Sequence, residues 1–232
     1  MTPMPTPVPV TIACLDMAGT TVADDGTVLA AFSAAVGQAG LRPGTPGHDQ
    51  ALASVRQSMG QSKIEVFRRV LATEAAAQQA NSAFEEHYAQ SVRDGSVTAL
   101  PGAEQTIAAL RAAGIRVCLV TGFAPATRDA VLDALGWRVL IDLALSPADA
   151  GRGRPWPDLP LTALLRLRGG AVSELAVAGD TPSDVESGLR AGAGLVAGVL
   201  SGAASRADLE KAGAPVVLDS IAGLVPLLGL GA

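Results

Sequence analysis

The sequence predicts an α/β fold, a Rossmann-like doubly wound parallel sheet with an inserted helical domain. After Pro101-Gly102, short apolar runs alternate with helical periodicity to the end of the chain, which is typical of a parallel sheet covered by helices on both faces. Between Leu29 and Arg93 the spacing is helical and Ala-rich, without a strand. The 232 residues suffice for one such sheet and one small insert, but not for two large domains.

The order of elements follows from these patterns. The first strand is expected at residues 8–15, where an apolar run ends in Asp16. Helical spacing predicts four helices in the insert, at residues 29–39, 48–58, 63–80 and 83–92. The later strands are predicted at residues 116–120, 140–145, 175–179, 195–199 and 216–218. The later helices are predicted at residues 103–113, 126–135, 159–167, 183–191, 206–212 and 221–228.

Two domains follow from this order. The core domain comprises residues 1–22 and 99–232, and the helical cap domain, called the insert, comprises residues 23–98. The insert is expected to form a lid over the end of the first strand.

Charge and cysteine content narrow the class of protein. The 17 Lys and Arg side chains against 22 Asp and Glu give a net charge of -5, which argues against binding to nucleic acid or to an anionic membrane surface. No apolar stretch has the length and composition of a membrane-spanning helix. Cys14 and Cys118 lie in apolar, strand-like runs, where reduced and buried thiols are expected. We therefore expect a cytoplasmic protein that acts on a small molecule.

Four short polar segments stand at the ends of predicted strands. They are Asp16-Met17-Ala18-Gly19-Thr20, Thr121-Gly122, Gly151-Arg152-Gly153-Arg154-Pro155 and Asp180-Thr181-Pro182-Ser183-Asp184. Because ligands of open α/β sheets bind at the carboxyl ends of the strands, we expect the four segments to share one site.

The first segment suits attack on a phosphoryl group. The carboxylate of Asp16 can attack phosphorus and form an acyl-phosphate. The backbone N–H groups of Met17, Ala18, Gly19 and Thr20 are expected to bind the phosphoryl oxygens.

The other three segments supply charge and position. Thr121 offers a hydroxyl, Gly122 a close backbone approach, and Arg154 or its neighbour Arg152 a fixed positive charge. Asp180 and Asp184 place two more carboxylates beside Asp16, which requires a cation. Oxygen ligands and phosphate chemistry together indicate Mg²⁺.

A purely structural reading competes with this one. Asp16 could be a turn residue, and Asp180 with Asp184 could serve as helix-capping acids. His48 and His87 are the only histidines and lie in the insert, where solvated or locally hydrogen-bonded roles are expected.

In their order, the four segments resemble those of the haloacid dehalogenase superfamily, and the resemblance covers essentially the whole chain, including the helical insert. It implies a magnesium-dependent hydrolase with Asp16, Thr121 and Arg154 as catalytic residues. It also implies that Asp16, the carbonyl oxygen of Ala18 and Asp180 hold the metal, with Asp184 in support through water.

Ala18 departs from the superfamily's phosphatases, which carry an Asp at this position that protonates the leaving oxygen. The loop is similar instead to that of the phosphonatase-like branch, the phosphonoacetaldehyde hydrolases. The segment 55–63 resembles this branch too, with Met59-Gly60 and Lys63 in matching positions. The branch's Schiff-base lysine is assigned to Gln57, whose amide cannot form an iminium. Gln57 and Met59 are predicted to contact substrate.

These features predict hydrolysis of a small organophosphorus compound, a phosphate monoester in the first place, through an aspartyl-phosphate on Asp16. Two alternatives stay open. One is hydrolysis of a phosphonate C–P bond by a route without a Schiff base, and the other is a phosphometabolite-binding protein of weak activity. The Ala-rich helices of the insert also suggest a homodimer formed through this domain.

Overall fold

A computed structural model describes residues 9–23 and 26–230 of the chain. Its six strands are β1 (Ile12–Asp16), β2 (Arg116–Val120), β3 (Leu143–Leu145), β4 (Leu175–Gly179), β5 (Leu195–Val199) and β6 (Val216–Leu218). They form one sheet in the order β3-β2-β1-β4-β5-β6, and every pair of neighbours is parallel. The predicted α/β class and doubly wound parallel sheet are confirmed.

The strand order reverses between β1 and β4. From β1 the chain moves outward to β2 and β3, and it then crosses to β4 on the other side. Every residue of β1 and of β4 is buried, as expected for central strands covered on both faces. A crevice at the carboxyl ends of strands forms at such a reversal. The fold therefore places Asp16, which ends β1, beside the residues that follow β4.

In the described part of the chain after residue 99, seven helices accompany the strands. They are α5 (Ala103–Ala112), α6 (Pro125–Leu135), α7 (Pro147–Ala150), α8 (Asp158–Arg166), α9 (Pro182–Ala191), α10 (Arg206–Lys211) and α11 (Leu224–Leu227). The helices α5, α8, α9 and α10 pack against strands of the sheet, and α11 packs against α5. Leu110 of α5 and Leu159 of α8 are fully buried. Cys14 and Cys118 are register partners on β1 and β2, and both are buried, free thiols.

Between β1 and α5, the described residues form four helices. They are α1 (Thr27–Gln38), α2 (Pro46–Gln57), α3 (Lys63–Val70) and α4 (Glu74–Arg93). Within the described residues, the segment they occupy contains no named strand. The division of the chain into domains at residues 22/23 and 98/99 stays a prediction.

The two ends of the insert are joined side by side. Val22 and Ala99 form an antiparallel bridge. The N–H of Ala23 donates to the carbonyl of Thr98 at 2.8 Å, and the N–H of Leu100 donates to the carbonyl of Thr21 at 2.9 Å. The chain therefore leaves and re-enters the core at one place, next to the loop that follows Asp16.

An aromatic cluster holds the insert together and connects it to the core. The rings of Phe32 and Phe67 lie 4.9 Å apart, and those of Phe32 and Phe84 lie 4.7 Å apart. Tyr88 of α4 contacts Phe123 at 4.5 Å between ring centroids. Because Phe123 follows β2 in the core, this cluster packs α4 against the carboxyl edge of the sheet.

The predicted helix boundaries in the insert are wrong at one place. A helix was expected at residues 63–80 and another at 83–92, whereas α3 ends at Val70 and α4 runs unbroken from Glu74 to Arg93. Thr73 is the N-cap of the second of these helices. Its backbone is extended, and its side-chain hydroxyl caps α4 by accepting a hydrogen bond from the N–H of Ala76. Residues 80–83 contain no Gly or Pro that would end a helix.

Two predicted strands differ at their amino ends. β3 begins at Leu143 and not at residue 140, because Trp137–Val139 form a 3₁₀ turn and Leu140 continues it. The first strand begins at Ile12; residue 8 of its predicted span lies outside the described residues. No helix in the described part of the chain is long and apolar enough to cross a membrane.

We expect Leu119→Ala in β2 to destabilise the protein, because the side chain is fully buried and its truncation leaves a cavity costing about 2–5 kcal/mol. The matched control is Leu165→Ala, whose side chain is 76% exposed and whose loss should change the free energy of unfolding by less than about 0.5 kcal/mol. Urea unfolding followed by circular dichroism measures both. Equal effects of the two variants would contradict the position of β2 in the core.

Candidate active site

Three carboxylates meet at the carboxyl edge of the sheet. Asp16 is the last residue of β1, Asp180 directly follows β4, and Asp184 lies in the first turn of α9. Oxygen atoms of the three side chains lie within 4.8 Å of one another, and all three residues are buried. The structure thus brings together the three acidic residues selected from the sequence.

One guanidinium group reaches this cluster. Arg154 lies in the loop between α7 and α8 and is 5% exposed; its Nη1 donates hydrogen bonds to Oδ1 of Asp16 and to Oδ1 of Asp184. Arg152, the competing candidate, is exposed and forms an ion pair with Asp158 in which Nε and Nη2 both donate. Of the two arginines, Arg154 is therefore the one at the carboxylates.

Burial of these charges shifts their titration. Desolvation raises the pKa of Asp16 to about 6; the Arg154 guanidinium opposes this rise and the Asp184 carboxylate adds to it. Burial, together with the charges of Asp16 and Asp184, holds the pKa of Asp180 well above its usual range. One guanidinium cannot neutralise three ionised carboxylates, and a donor set made of carboxylate oxygens fits a hard divalent cation. The residues present are therefore suited to hold a divalent metal ion.

The loop after Asp16 is held by its own backbone. The N–H of Gly19 donates to the carbonyl of Val22 at 2.8 Å, and the N–H of Thr20 donates to the carbonyl of Met17 at 3.2 Å. Both amides are thus engaged within the turn in this conformation, and binding of a phosphoryl group by residues 17–20 stays a prediction. The Met17 side chain is buried in the core, and Ala18 is partly buried.

Asp184 combines two roles. Its Oδ2 accepts hydrogen bonds from the N–H and the hydroxyl of Thr181, and the Thr181 hydroxyl oxygen accepts from the N–H of Asp184, which is a capping box for α9. This leaves Oδ1 directed at Arg154. The structural reading as a capping acid is correct for Asp184, and it positions the other oxygen for the site.

Thr121 and Gly122 follow β2 at the same edge. Thr121 is buried, and its Oγ1 accepts a hydrogen bond from the N–H of Phe123 at 3.2 Å. The carbonyl of Gly122 accepts from the N–H of Lys63 at 3.3 Å. A Cβ atom on Gly122 would lie 2.3 Å from the carbonyl oxygen of Gln61. Glycine is therefore required for the insert to approach this loop so closely.

A pocket of about 770 Å³ lies between the insert and this edge of the sheet. Arg154 and Gly122 line it from the core, and Lys63 and Glu85 line it from the insert. Arg154 connects the pocket to the carboxylate cluster through its contact with Asp16. The pocket can therefore hold a small molecule with one end near the nucleophile candidate.

Some predicted residues lie elsewhere. Gln57 and Met59 line a second cavity of about 320 Å³ beside Thr181 and not the pocket that contains Arg154. The His48 ring is hydrogen bonded to Ser33 and that of His87 to Gln38, each at 3.0 Å. These are the local contacts expected for the two histidines.

Lys63 was assigned no catalytic role from the sequence, yet it lines the pocket. It is 5% exposed, and its Nζ lies 4.9 Å from the centroid of the Phe123 ring. Within α3 the buried residues are Lys63, Val66 and Phe67. This spacing of three and four residues places the lysine on the apolar face of an amphipathic helix, which is the signal that could have identified it.

A model of the haloacid dehalogenase-like hydrolase family matches residues 10–192. The chain belongs to this family. It is therefore a hydrolase, and the matched span contains Asp16, Thr121, Arg154, Asp180 and Asp184.

Curated relatives include both phosphonate and phosphate hydrolases. A phosphonoacetaldehyde hydrolase from Parabacteroides distasonis is 31% identical over 113 residues, which is 47% of this chain and 42% of that protein. A phosphoglycolate phosphatase from Pectobacterium atrosepticum is 31% identical over 157 residues, 68% of this chain and 66% of that protein. In both, the match spans less than two thirds of the relative's length.

Solved structures share the fold along nearly the whole chain. A hydrolase from Pseudomonas syringae is 24% identical with a TM-score of 0.82, covering 94% of this chain and 98% of that one. A phosphonoacetaldehyde hydrolase-like protein from Oleispira antarctica is 26% identical with a TM-score of 0.80, covering 96% and 92%.

We expect Gly122→Ala to push the loop containing Lys63 away from the core, because the new methyl group would clash with the Gln61 carbonyl. The N–H of Lys63 should then exchange with solvent roughly tenfold faster or more, which corresponds to a local opening about 1.4 kcal/mol easier. Hydrogen exchange read by NMR measures this. Gly37→Ala is the control, because its nearest neighbouring atom would be 3.7 Å away. Unchanged exchange in Gly122→Ala would contradict the close contact.

Proposed function

We propose that this hydrolase cleaves a small phosphate monoester through an aspartyl-phosphate formed on Asp16. The observation that carries the proposal is the contact of Asp16 with Arg154, which itself lines the pocket. A nucleophilic carboxylate and a phosphate-binding cation thus lie side by side at the end of a cavity. This arrangement suits in-line attack on phosphorus.

In the proposed reaction, one oxygen of the Asp16 carboxylate attacks phosphorus and the bond to the leaving oxygen breaks. Arg154, the Thr121 hydroxyl and the backbone around Gly122 bind the phosphoryl oxygens and orient them. Water then hydrolyses the acyl-phosphate and regenerates Asp16. Closure of the insert over the pocket would keep other water away from the intermediate.

Mg²⁺ would be held by the carboxylates of Asp16 and Asp180 and by the carbonyl oxygen of Ala18, with Asp184 in support. When bound, the ion supplies positive charge that offsets the charge of the phosphoryl oxygens. The buried carboxylates support this assignment, because Arg154 is the one guanidinium that contacts them among the described residues.

Cleavage of a phosphonate C–P bond is a second candidate, and the observation that favours it is the position of Lys63. Lys63 lines the same pocket as Arg154, whereas Gln57, the residue assigned to the Schiff-base position, lines a different one. A lysine amine can form an iminium with an aldehyde and so provide an electron sink. The relative from Parabacteroides distasonis is named a phosphonoacetaldehyde hydrolase, and the one from Oleispira antarctica is named a phosphonoacetaldehyde hydrolase-like protein.

We expect phosphate release from a panel of small phosphate esters to require both Mg²⁺ and Asp16. Asp16→Asn removes the nucleophile and should lower kcat on the order of a thousandfold or more, and chelation of the metal should abolish release until Mg²⁺ is restored. Asp133→Asn is the control, because Asp133 is exposed and pairs with Arg138 away from the site. A folded wild-type protein that releases no phosphate from any ester or phosphonate would instead support a binding protein.

Borohydride reduction in the presence of phosphonoacetaldehyde tests the second candidate. If Lys63 forms an iminium, reduction should leave a stable adduct on this residue that mass spectrometry locates, and Lys63→Arg should abolish it. Lys211 lies on α10, outside the residues that line the pocket, and is the internal control. Absence of an adduct on Lys63 would contradict the C–P route through an amine.

A further inference from the structure

The proposed reaction lacks a proton donor in the nucleophile loop, because position 18 is alanine. An alkoxide leaving group needs a proton as the P–O bond breaks. The titratable groups that line the pocket are Lys63, Glu65, Glu85 and four arginines. Arginine does not release its proton in proteins, and Glu65 is exposed and paired with Arg68. Lys63 and Glu85 remain.

Lys63 lies in an aromatic cage. Its Nζ is 4.9 Å from the ring centroid of Phe123, 5.7 Å from that of Phe32 and 5.8 Å from that of Phe84. The faces of these rings stabilise an ammonium group, whereas burial opposes the charge.

Glu85 is the carboxyl group that acts on Lys63. Its side chain accepts hydrogen bonds from the hydroxyl of Thr127 and from the N–H of Ala124, at the start of α6. Burial raises the pKa of Glu85, and the positive charge of Lys63 opposes that rise. Two hydrogen-bond donors thus fix Glu85 to the core, and its carboxylate interacts electrostatically with Lys63.

We propose that Lys63 donates the proton to the leaving oxygen and that Glu85 is a positioning residue that holds the Lys63 ammonium charged in the pocket. This inference rests on the proposed phosphate ester hydrolysis. It gives the insert a chemical role in the reaction and accounts for turnover with alanine at position 18.

The proton balance closes over the two steps. As Asp16 attacks phosphorus, the P–O bond breaks with its electron pair on the leaving oxygen, which takes a proton from Nζ of Lys63 and leaves as an alcohol. Lys63 is then a neutral amine. Water then attacks the acyl-phosphate, and the bond between phosphorus and Asp16 breaks to give the Asp16 carboxylate and dihydrogen phosphate. The dihydrogen phosphate returns one proton to the Lys63 amine, which restores the ammonium. The net change is one ester and one water converted to one alcohol and one phosphate.

Other charged side chains of α3, of α6 and of the loop after α7 have ion-pair partners of their own or are exposed. On α3, Arg68 pairs with Glu65 and Glu74, and Arg69 is exposed. After α7, Arg152 pairs with Asp158 and Arg154 with the carboxylate cluster. On α6, Arg128 pairs with Asp129 and Asp149. Glu85 is a charged group that interacts electrostatically with Lys63.

The test compares two substrates in Glu85→Gln. An alkyl phosphate needs a proton on its leaving oxygen, whereas p-nitrophenyl phosphate releases a stable phenolate without one. We expect kcat for the alkyl phosphate to fall about a hundredfold, the lower end of general acid catalysis, and kcat for p-nitrophenyl phosphate to stay within about threefold of wild type. Glu86→Gln is the matched control, because Glu86 is the exposed neighbour on α4.

The pH profile gives a second readout. Removal of the carboxylate lowers the pKa of Lys63, so the ammonium is lost at lower pH. The alkaline limb of kcat for the alkyl phosphate should therefore move down by about one pH unit or more in Glu85→Gln, and it should not move in Glu86→Gln. Equal losses on both substrates, with an unmoved alkaline limb, would show that Glu85 is only structural and would overturn the inference.

If Glu85→Gln is unstable, the same two substrates are compared in a second variant, Lys63→Arg. Arginine retains a cation in the cage but cannot release a proton. Selective loss on the alkyl phosphate supports the inference, and equal rates for wild type and Lys63→Arg on both substrates overturn it. Failure of the proposed function is distinguishable, because p-nitrophenyl phosphate hydrolysis would then persist in Asp16→Asn.

Discussion

The burial of three carboxylates at one point constrains this molecule more than any other feature. Asp16 and Asp180 are brought together because β1 and β4 are parallel neighbours, and Asp184 follows within one helical turn. Charges in such a place are costly unless they are paired. Arg154 contacts two of the three, and the remaining excess of negative charge favours a bound cation. The buried negative charge that lowers the stability of the fold thus also favours a bound cation, which phosphate chemistry needs.

The insert meets this charged edge through close backbone contacts. A Cβ on Gly122 would approach the Gln61 carbonyl to 2.3 Å, and a Cβ on Gly60 would approach the Thr181 hydroxyl to 2.4 Å. Gln61 also donates a side-chain hydrogen bond to Ser183 at 3.2 Å. The segment before α3 is thereby seated on the loops that follow β2 and β4. Lys63 is the first residue of that helix, so the same contacts place Lys63 beside the pocket.

Local patterns in the sequence predicted most of the fold, and tertiary contacts account for what they missed. β2, β4, β5 and β6 have the predicted bounds, because each is a short, mostly apolar run with a polar residue, a glycine or a proline on at least one side. The break before α4 was missed because a single capping threonine, Thr73, makes it. The carboxylate cluster was predictable from strand ends. Lys63 and Glu85 are brought near each other by the packing of α3, α4 and α6. The spacing of residues in the sequence does not predict this packing.

The bridge between Val22 and Ala99 allows the insert to vary independently of the sheet. Because the chain leaves and returns through adjacent, hydrogen-bonded positions, the ends of the insert stay close whatever lies between them. Insertions with adjacent ends are tolerated well by compact domains. The core can therefore exchange one set of helices for another, longer or shorter, without a change in strand order. Diversification of substrate choice in such an enzyme needs new inserts and not a new nucleophile.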